Sequence, residues 1–151
     1  MIFVTVGTSL PHDDLIRRFD QLVETGELSD EVIAQIGAGS YIPRHIKYFR
    51  FSKSLEKFFE QAEVVVTNCG AGTILENTTK GRRLVAIQNP DITGGHEWEL
   101  VTKMEQGAHL IWCKDIENLL ECINEAKRKE FMKFQPEILV ASDILNRVFK
   151  K

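Results

Sequence analysis

Short apolar runs alternate along the chain with longer stretches in which apolar residues recur at helical spacing. Runs rich in β-branched side chains and too short for a helix are typical of strands buried on both faces of a sheet. These runs and one aromatic segment predict strands at residues 2–6, 32–36, 47–51, 64–66, 84–87 and 109–113. Because helices alternate with the strands, we predict an α/β fold with a Rossmann-like, doubly wound parallel sheet, which holds ligands beyond the carboxyl ends of its strands.

Helical periodicity predicts the segments between the strands. A first helix starts at Pro11, and a later helix stops at Gly81, as a C-terminal glycine would make it do. After Pro136 a last helix is predicted at residues 138–149. Its apolar stripe is formed by Ile138, Leu145, Val148 and Phe149. Such a stripe packs either on the chain's own sheet or on a partner protein.

The stretch from residue 64 to 81 has the order strand, glycine loop, helix. The loop reads Asn68-Cys69-Gly70-Ala71-Gly72, and Thr73 continues into helix-forming residues. Backbone N–H groups at such a helix start bind anions, and glycine lets a phosphate approach closely. The alternative is a tight turn that serves only strand-to-helix packing. Glu76 follows Gly72 by about one helical turn, so it is either a carboxylate that accepts hydrogen bonds from ribose hydroxyls or an ordinary surface glutamate favoured by the helix dipole.

Two further loops should meet the glycine loop at the same sheet edge. Gly7-Thr8-Ser9 follows the first strand and offers phosphate-reaching groups, unless Ser9 merely caps the next helix. Residues 89–99 follow the strand at 84–87 and lead into a predicted helix that begins with His96 and Glu97. His96 is a candidate general base or hydrogen-bond donor to a phosphate or sugar. The acids there are either ligand contacts or simple first-turn residues.

Composition narrows the function. The 151 residues are 43% hydrophobic and 27% charged, which indicates one globular domain. A net charge of −3 gives no general attraction to nucleic acid. The three cysteines are widely spaced and indicate neither a disulfide framework nor a zinc site. No apolar run approaches membrane-spanning length and the start lacks a basic signal region, so we expect a cytoplasmic protein.

Several nucleotide-binding and catalytic motifs are missing from the sequence. There is no GxxxxGK[ST], no GxSxG and no HExxH, and the glycine loop lacks the third glycine of GxGxxG. These absences argue against P-loop NTPases, α/β-hydrolases, zinc peptidases and nicotinamide chemistry. The residues alone therefore predict a nucleotide or phosphate ligand on an α/β domain.

The motifs CGAGTILENTTKG and GHEWELVTKMEQGAHL together resemble the C-terminal, nucleotide-sugar-binding half of the GT-B glycosyltransferases of family 28. With the opening IFVTVGTS, the chain is similar to the cytosolic subunit of the two-part UDP-GlcNAc transferases of dolichol-linked oligosaccharide synthesis, and equally to small bacterial exopolysaccharide glycosyltransferase subunits. The resemblance implies one nucleotide-sugar-binding domain over residues 1–151. Within it we predict residues 136–151 as a C-terminal helix, whose apolar stripe either packs on the chain's own sheet or docks on a partner.

The resemblance also implies site residues. Glu76 would hold the donor's ribose, and His96 would contact the sugar-diphosphate end as the candidate catalytic residue. The implied donor-binding set is Gly7, Thr8, Ser9, Asn68, Gly70, Ala71, Gly72, Thr73, Glu76, Gly95, His96 and Glu97. In the family that the chain resembles, histidine or another polar residue usually opens the second glycine loop, whereas Asn68 carries no titratable proton at neutral pH. The change would impair acid–base chemistry there but would matter little for geometry or donor contact.

The resemblance implies a UDP-sugar as donor substrate, no metal and no other cofactor. It further implies a membrane-anchored, acceptor-binding partner subunit, which would make the chain peripheral to the membrane, with a homodimer possible when the chain is alone. Two other interpretations stay open. One is a non-catalytic nucleotide-sugar-binding or regulatory module. The other is a nucleotide-sugar epimerase, although such enzymes carry both halves of the cleft in one longer chain.

Overall fold

The strands form one parallel sheet, in which the first strand of the chain is a central strand. The structure, a computed structural model, describes residues 1–7, 11–68, 70–88 and 97–136. Over these residues the strands are β1 Ile2–Thr5, β2 Val32–Gln35, β3 Lys47–Phe49, β4 Val64–Thr67, β5 Leu84–Ile87 and β6 Ile111–Cys113. In the sheet these strands lie in the order β3-β2-β1-β4-β5-β6. The predicted strands are therefore all present, and their ends differ from the predicted ones by at most two residues. The predicted Rossmann-like sheet is confirmed.

Five α-helices connect or flank the described strands. They are α1 Asp13–Glu24, α2 Glu56–Gln61, α3 Ala71–Thr79, α4 Glu97–Gln106 and α5 Leu119–Arg128, the last preceded by a 3₁₀ turn at Ile116–Asn118. Helix α1 begins two residues later than predicted, with His12 rather than Ser9 at its N-cap. The predicted helix at 138–149 and its docking stripe lie outside the described residues. None of the described helices is long and apolar enough to cross a membrane.

The sheet separates two apolar cores because successive side chains of a strand point to opposite faces. On one face, Ile2 and Val4 of β1 pack with α1 and α5. On the other face, Phe3 packs with residues of α2, α3 and α4. Phe3 also stacks on Phe58, with ring centroids 5.0 Å apart. The strands β1, β4 and β5 are thus buried from both sides, as their continuous apolar runs predict, whereas the edge strand β3 is largely exposed.

The connection between β2 and β3 contains no helix, and acids of α1 hold it in place. The buried carboxylate of Asp20 accepts hydrogen bonds from Tyr41 Oη at 2.5 Å, from the Arg44 backbone N–H at 3.0 Å and from the His45 backbone N–H at 2.6 Å. Asp13 accepts one from the Ser40 N–H at 3.2 Å. Burial opposes the charge of Asp20, but the hydrogen bonds outweigh it and lower the pKa of this carboxyl.

Helix α3 ends in a Schellman motif at the predicted stop. Gly81 has φ +69°, its N–H donates to the Thr78 carbonyl, and the Arg82 N–H donates to the Asn77 carbonyl. Residues 129–136 follow α5 and pass beside this motif. The Phe134 N–H donates to the Thr78 carbonyl, so a backbone hydrogen bond holds this segment against the end of α3.

Candidate functional site

The carboxyl ends of β1 and β4 lie side by side at the point where the strand order reverses. From β1 the chain proceeds to β2 on one side, and β4 continues to β5 on the other. In open α/β sheets this switch point opens a crevice in which ligands bind. Gly7 follows β1 and Asn68 follows β4, so two of the predicted donor-binding residues lie at the crevice.

Asn68 fixes the geometry of this junction. Its side chain is buried, and its Oδ1 accepts a hydrogen bond of 3.1 Å from the Gly7 backbone N–H. The asparagine thus joins the loops that leave the two central strands. Such a role requires an acceptor and no titratable proton, so asparagine is sufficient for this junction.

The glycine loop leads into the uncapped start of α3. Gly70 is the N-cap residue and provides no capping side chain, while Ala71 and Gly72 are exposed in the first turn. Neither glycine has a positive φ, and a Cβ added to either would have no atom within 4 Å. The fold therefore tolerates larger residues here, although glycine weakens a helix by about 0.5–1 kcal/mol relative to alanine. The open space and the uncapped backbone N–H groups of the first turn suit the binding of an anion.

Glu76 projects from α3 toward the start of α2. Its exposed carboxyl is near that of Glu56, whose Oε1 accepts from Lys80 Nζ at 2.7 Å and from Arg82 Nη2 at 2.6 Å. The Arg82 and Lys80 cations lower the pKa of Glu56 to about 2, and the neighbouring Glu76 carboxyl contributes to the shift. Partial burial and the Glu56 carboxylate raise the pKa of Glu76. Glu76 is therefore half of a carboxyl pair and not an isolated surface glutamate.

A polar pocket of about 340 Å³ opens at the carboxyl ends of β5 and β6. Its lining comprises His12, Asp14, Gln88, Lys114, Asp115 and Ile116. Sequence reasoning missed these residues. Gln88 and Lys114 directly follow β5 and β6, and His12 precedes α1, so their positions next to element ends were the available signal. Ligands of a doubly wound sheet bind at this edge.

Some predicted site residues cannot be placed. Thr8, Ser9, Gly95 and His96 lie outside the described residues, and Glu97 is the first residue of α4. Their roles stay predictions, as do the ligand contacts of the rest of the set. Across the described ranges, no group of three or more His, Cys, Asp or Glu residues could hold a metal ion.

Residues 1–137 match the glycosyltransferase family 28 C-terminal domain. The chain belongs to this family. It is 32% identical over 137 residues to the UDP-N-acetylglucosamine transferase subunit ALG13 of Homo sapiens, covering 83% of this chain and 12% of the human protein. It is 27% identical over 88 residues to the Kluyveromyces lactis subunit of the same name, covering 56% of this chain and 44% of the relative. The chain therefore spans less than half of either relative.

Solved structures show the same fold. The NMR solution structure of ALG13 has a TM-score of 0.58 at 16% identity and covers 97% of this chain and 93% of that one. The crystal structure of Acinetobacter baumannii MurG has a TM-score of 0.62 at 16% identity, covering 99% of this chain and 49% of MurG. These structures confirm the predicted Rossmann-like fold, and the family match confirms the predicted family.

Proposed function

We propose that the chain is the donor-binding subunit of a two-part glycosyltransferase, which moves GlcNAc from a UDP-sugar to a lipid-linked acceptor. Family membership supports the reaction class. The human relative is named a UDP-N-acetylglucosamine transferase subunit, which favours this donor and a subunit role.

The observation that carries the proposal is the glycine loop at the switch point. Gly70 is the N-cap of α3 and Gly72 lies in its first turn, with no capping side chain, and a Cβ added to either would meet no atom within 4 Å, so nothing in the described residues requires glycine at these positions. A diphosphate placed there would accept hydrogen bonds from the first-turn N–H groups of α3, including those of Ala71 and Thr73. Glu76, one turn along the same helix, would accept hydrogen bonds from the ribose hydroxyls.

The helix start also suits the chemistry of transfer. When the acceptor oxygen bonds to the sugar C1, the bond from C1 to the diphosphate breaks and negative charge develops on the departing UDP. Fixed backbone dipoles aimed at that charge stabilise it without a metal ion. We assign His96 to the sugar-diphosphate end, either as the base that takes the acceptor's proton or as a hydrogen-bond donor. Gly95 and Glu97 would complete this end of the site.

The proposal assigns acceptor binding to a membrane-anchored partner. This chain aligns with 49% of the MurG chain, so about half of MurG has no counterpart in this chain. A GT-B active site lies between two such Rossmann-like domains. A partner subunit at the membrane would supply the facing half and the lipid-linked acceptor, with the segment 136–151 as its docking element.

Turnover measurements test the proposal directly. Purified chain is assayed with UDP-GlcNAc and a lipid-pyrophosphate acceptor, alone and after co-expression with the candidate membrane subunit. We expect transfer only with the partner, and loss of the complex when residues 136–151 are deleted. His96→Ala should reduce transfer more than it reduces affinity for UDP, which lacks the sugar. Full turnover by the isolated chain contradicts the two-part proposal, whereas donor binding without turnover in any complex indicates a non-catalytic module.

A further inference from the structure

Residues 42–53, which include the edge strand β3, form the β3 edge of the sheet and expose an unusual share of apolar surface. Five large apolar side chains are exposed in the described part of the chain, and three of them belong to this edge: Ile42 at 45%, Tyr48 at 42% and Phe51 at 58%. Single exposed apolar residues are normal on a protein surface. Three within ten residues indicate a contact surface.

The same stretch is basic, although the chain as a whole is acidic. Between residues 32 and 55 there are four Lys or Arg residues and no Asp or Glu, whereas the net charge of the chain is −3. All four of these cations are exposed: Arg44, Lys47, Arg50 and Lys53. The β3 edge therefore combines apolar side chains with positive charge and should attract an anionic partner.

Two of the four cations already have partners within the domain. Lys47 Nζ lies 3.2 Å from Glu31 Oε2, in an ion pair whose two side chains are both more than half exposed. Arg50 Nη1 donates to the carbonyls of the loop after β2, at 3.0 Å and 2.9 Å. Arg44 and Lys53 form no ion pair with any other described residue, so their charges are available to a partner.

The fold holds the β3 edge in place from behind. The Asp20 carboxylate of α1 accepts hydrogen bonds from the Arg44 backbone N–H at 3.0 Å and from the His45 backbone N–H at 2.6 Å. On the other face of the sheet, the Phe49 ring stacks on Phe58 of α2, with centroids 4.8 Å apart. Because the backbone is already ordered, a partner would meet this surface at a low cost in conformational entropy.

The opposite edge of the sheet has a different character. There the Trp112 N–H of β6 donates to Glu105 Oε2 at 3.2 Å, so an acid of α4 covers the edge. None of the five exposed large apolar side chains of the described residues belongs to β6. The basic and apolar surface is thus a property of the β3 edge and not of edge strands in this sheet generally.

We propose that the β3 edge binds the surface of an anionic lipid bilayer. Lys and Arg side chains are attracted to anionic headgroups, and aromatic side chains are favoured at the boundary between headgroups and acyl chains. The aliphatic side chain of Ile42 and the Phe51 ring suit that boundary. The inference goes beyond the proposed function, in which a partner subunit provides the attachment to the membrane: here the chain itself contacts the bilayer.

Co-sedimentation of the full chain with vesicles tests the inference. The vesicles consist of phosphatidylcholine alone or of phosphatidylcholine mixed with phosphatidylglycerol. We expect binding to the mixed vesicles only, and weaker binding when the ionic strength rises from about 0.1 M to about 1 M, because the Debye length falls from about 10 Å to about 3 Å. Absence of binding to the mixed vesicles, or equal binding to both kinds, would overturn the inference.

A matched pair of double variants tests the cations. Arg44→Gln with Lys53→Gln removes the two cations without ion pairs and should lower the apparent affinity for mixed vesicles more than about tenfold, at about fivefold per cation. Arg128→Gln with Lys133→Gln removes two exposed cations near the end of α5 and changes the net charge equally. This control should bind like the wild type, and equal losses for the two double variants would show that binding follows net charge and not the β3 edge.

A second matched pair tests the apolar side chains. Phe51→Ser should weaken binding to mixed vesicles by about tenfold, because the ring leaves water when the edge meets the bilayer. Met132→Ser changes a side chain of similar exposure, 62%, on another surface and should have no effect. Urea unfolding checks that both variants keep the stability of the wild type. Wild-type binding by a folded Phe51→Ser variant would contradict the inference.

The outcomes separate this inference from the proposed function. If UDP-GlcNAc binding and partner-dependent transfer are found but the chain ignores anionic vesicles, the β3 edge inference is wrong and the donor site stands. The same holds if the Arg44→Gln, Lys53→Gln variant loses only the complex with a protein partner or only binding of single-stranded DNA. If the vesicles are bound as expected and UDP-GlcNAc is not, the proposed function is wrong and the β3 edge inference stands.

Discussion

Two acids of this domain, Asp20 on α1 and Glu76 on α3, contact neighbouring segments through opposite kinds of partner. Asp20 is buried and receives hydrogen bonds from a tyrosine hydroxyl and two backbone N–H groups of the β2–β3 connection. Glu76 is exposed and meets another carboxyl. The pKa of Asp20 is lowered and that of Glu76 is raised. Backbone and side-chain donors satisfy the carboxylate of Asp20. At Glu76, partial burial and the Glu56 carboxyl outweigh the Lys80 and Arg82 cations, so the balance of the described surroundings opposes its charge.

The difference separates a structural acid from a candidate ligand-binding acid. A protein places donors around a carboxylate when the carboxylate holds the fold together. A ligand-binding acid must keep its acceptor positions available until the ligand supplies the donors. By this criterion we expect the ligand to bind on the α3 side of the molecule, and the open space at Gly70 and Gly72 agrees with this expectation.

The largest effect is expected from removing the structural acid. Asp20→Ala leaves Tyr41 Oη and two backbone N–H groups without their acceptor, which should lower the free energy of unfolding by about 3 kcal/mol. Urea unfolding at neutral pH measures the change. Asp14→Ala on the same helix is the control, because its ion pair with Arg17 is exposed and should contribute less than about 0.5 kcal/mol. Equal losses for the two variants would contradict the comparison.

Glu76→Ala should have the opposite profile, with binding affected and stability retained. A charge-assisted hydrogen bond contributes about 1.5–3 kcal/mol, so affinity for UDP-GlcNAc should fall about tenfold or more. The free energy of unfolding should change by no more than about 0.5 kcal/mol, because the side chain is exposed. Calorimetry and urea unfolding on the same preparation give both values. Unchanged affinity in the folded variant would remove Glu76 from the donor site.

Substitution of a glycine provides a third contrast: replacing Gly72 should raise the free energy of unfolding while it weakens binding of the donor. Gly72→Ala should stabilise the domain by about 0.5 kcal/mol, since φ is not positive and the added Cβ meets no atom within 4 Å. The same methyl group should weaken UDP-GlcNAc binding by crowding the diphosphate. Gly81→Ala is the matched control: its φ of +69° makes alanine destabilising by about 1 kcal/mol, with no direct effect on the donor. A stabilised Gly72→Ala that binds normally would show that the loop does not approach the ligand.

The sequence alone was sufficient to predict those strands and helices that depend on the local hydrophobic pattern. A run such as Val64–Thr67 is apolar on both faces because a parallel strand is buried from both sides, so the sheet could be predicted. Strand ends were less certain because pairing decides them. The predicted strand at 109–113 starts only at Ile111, since Ala108 has φ +59° and the His109 ring contacts the Met132 carbonyl.

The candidate site was only partly predictable for the same reason. Glycines and an acid one turn later identify the start of α3 from local spacing alone. The second carboxyl of the pair could not be predicted, because Glu56 belongs to another helix and meets Glu76 only when α2 packs beside α3. The hydrogen bonds of Asp20 likewise join α1 to a connection 21 to 25 residues further along the chain. Hydrophobic periodicity along the sequence does not indicate which polar side chains meet in the tertiary structure.

The smallest expected effect is the pH dependence of stability, and the two acids should contribute with opposite sign. The lowered pKa of Asp20 adds stability that is complete above its ordinary value of 3.8 and is lost as the pH falls through the folded-state value. The advantage of the wild type over Asp20→Asn should therefore shrink below about pH 3.8. The raised pKa of Glu76 works the other way: ionisation opposes folding at neutral pH, and this penalty disappears at acid pH. Glu76→Gln should consequently be slightly more stable than the wild type at pH 7 and equal to it at low pH. Urea midpoints measured from pH 7 down to pH 3 give both differences, and curves that run parallel for all three proteins would show that neither carboxyl is perturbed by its surroundings.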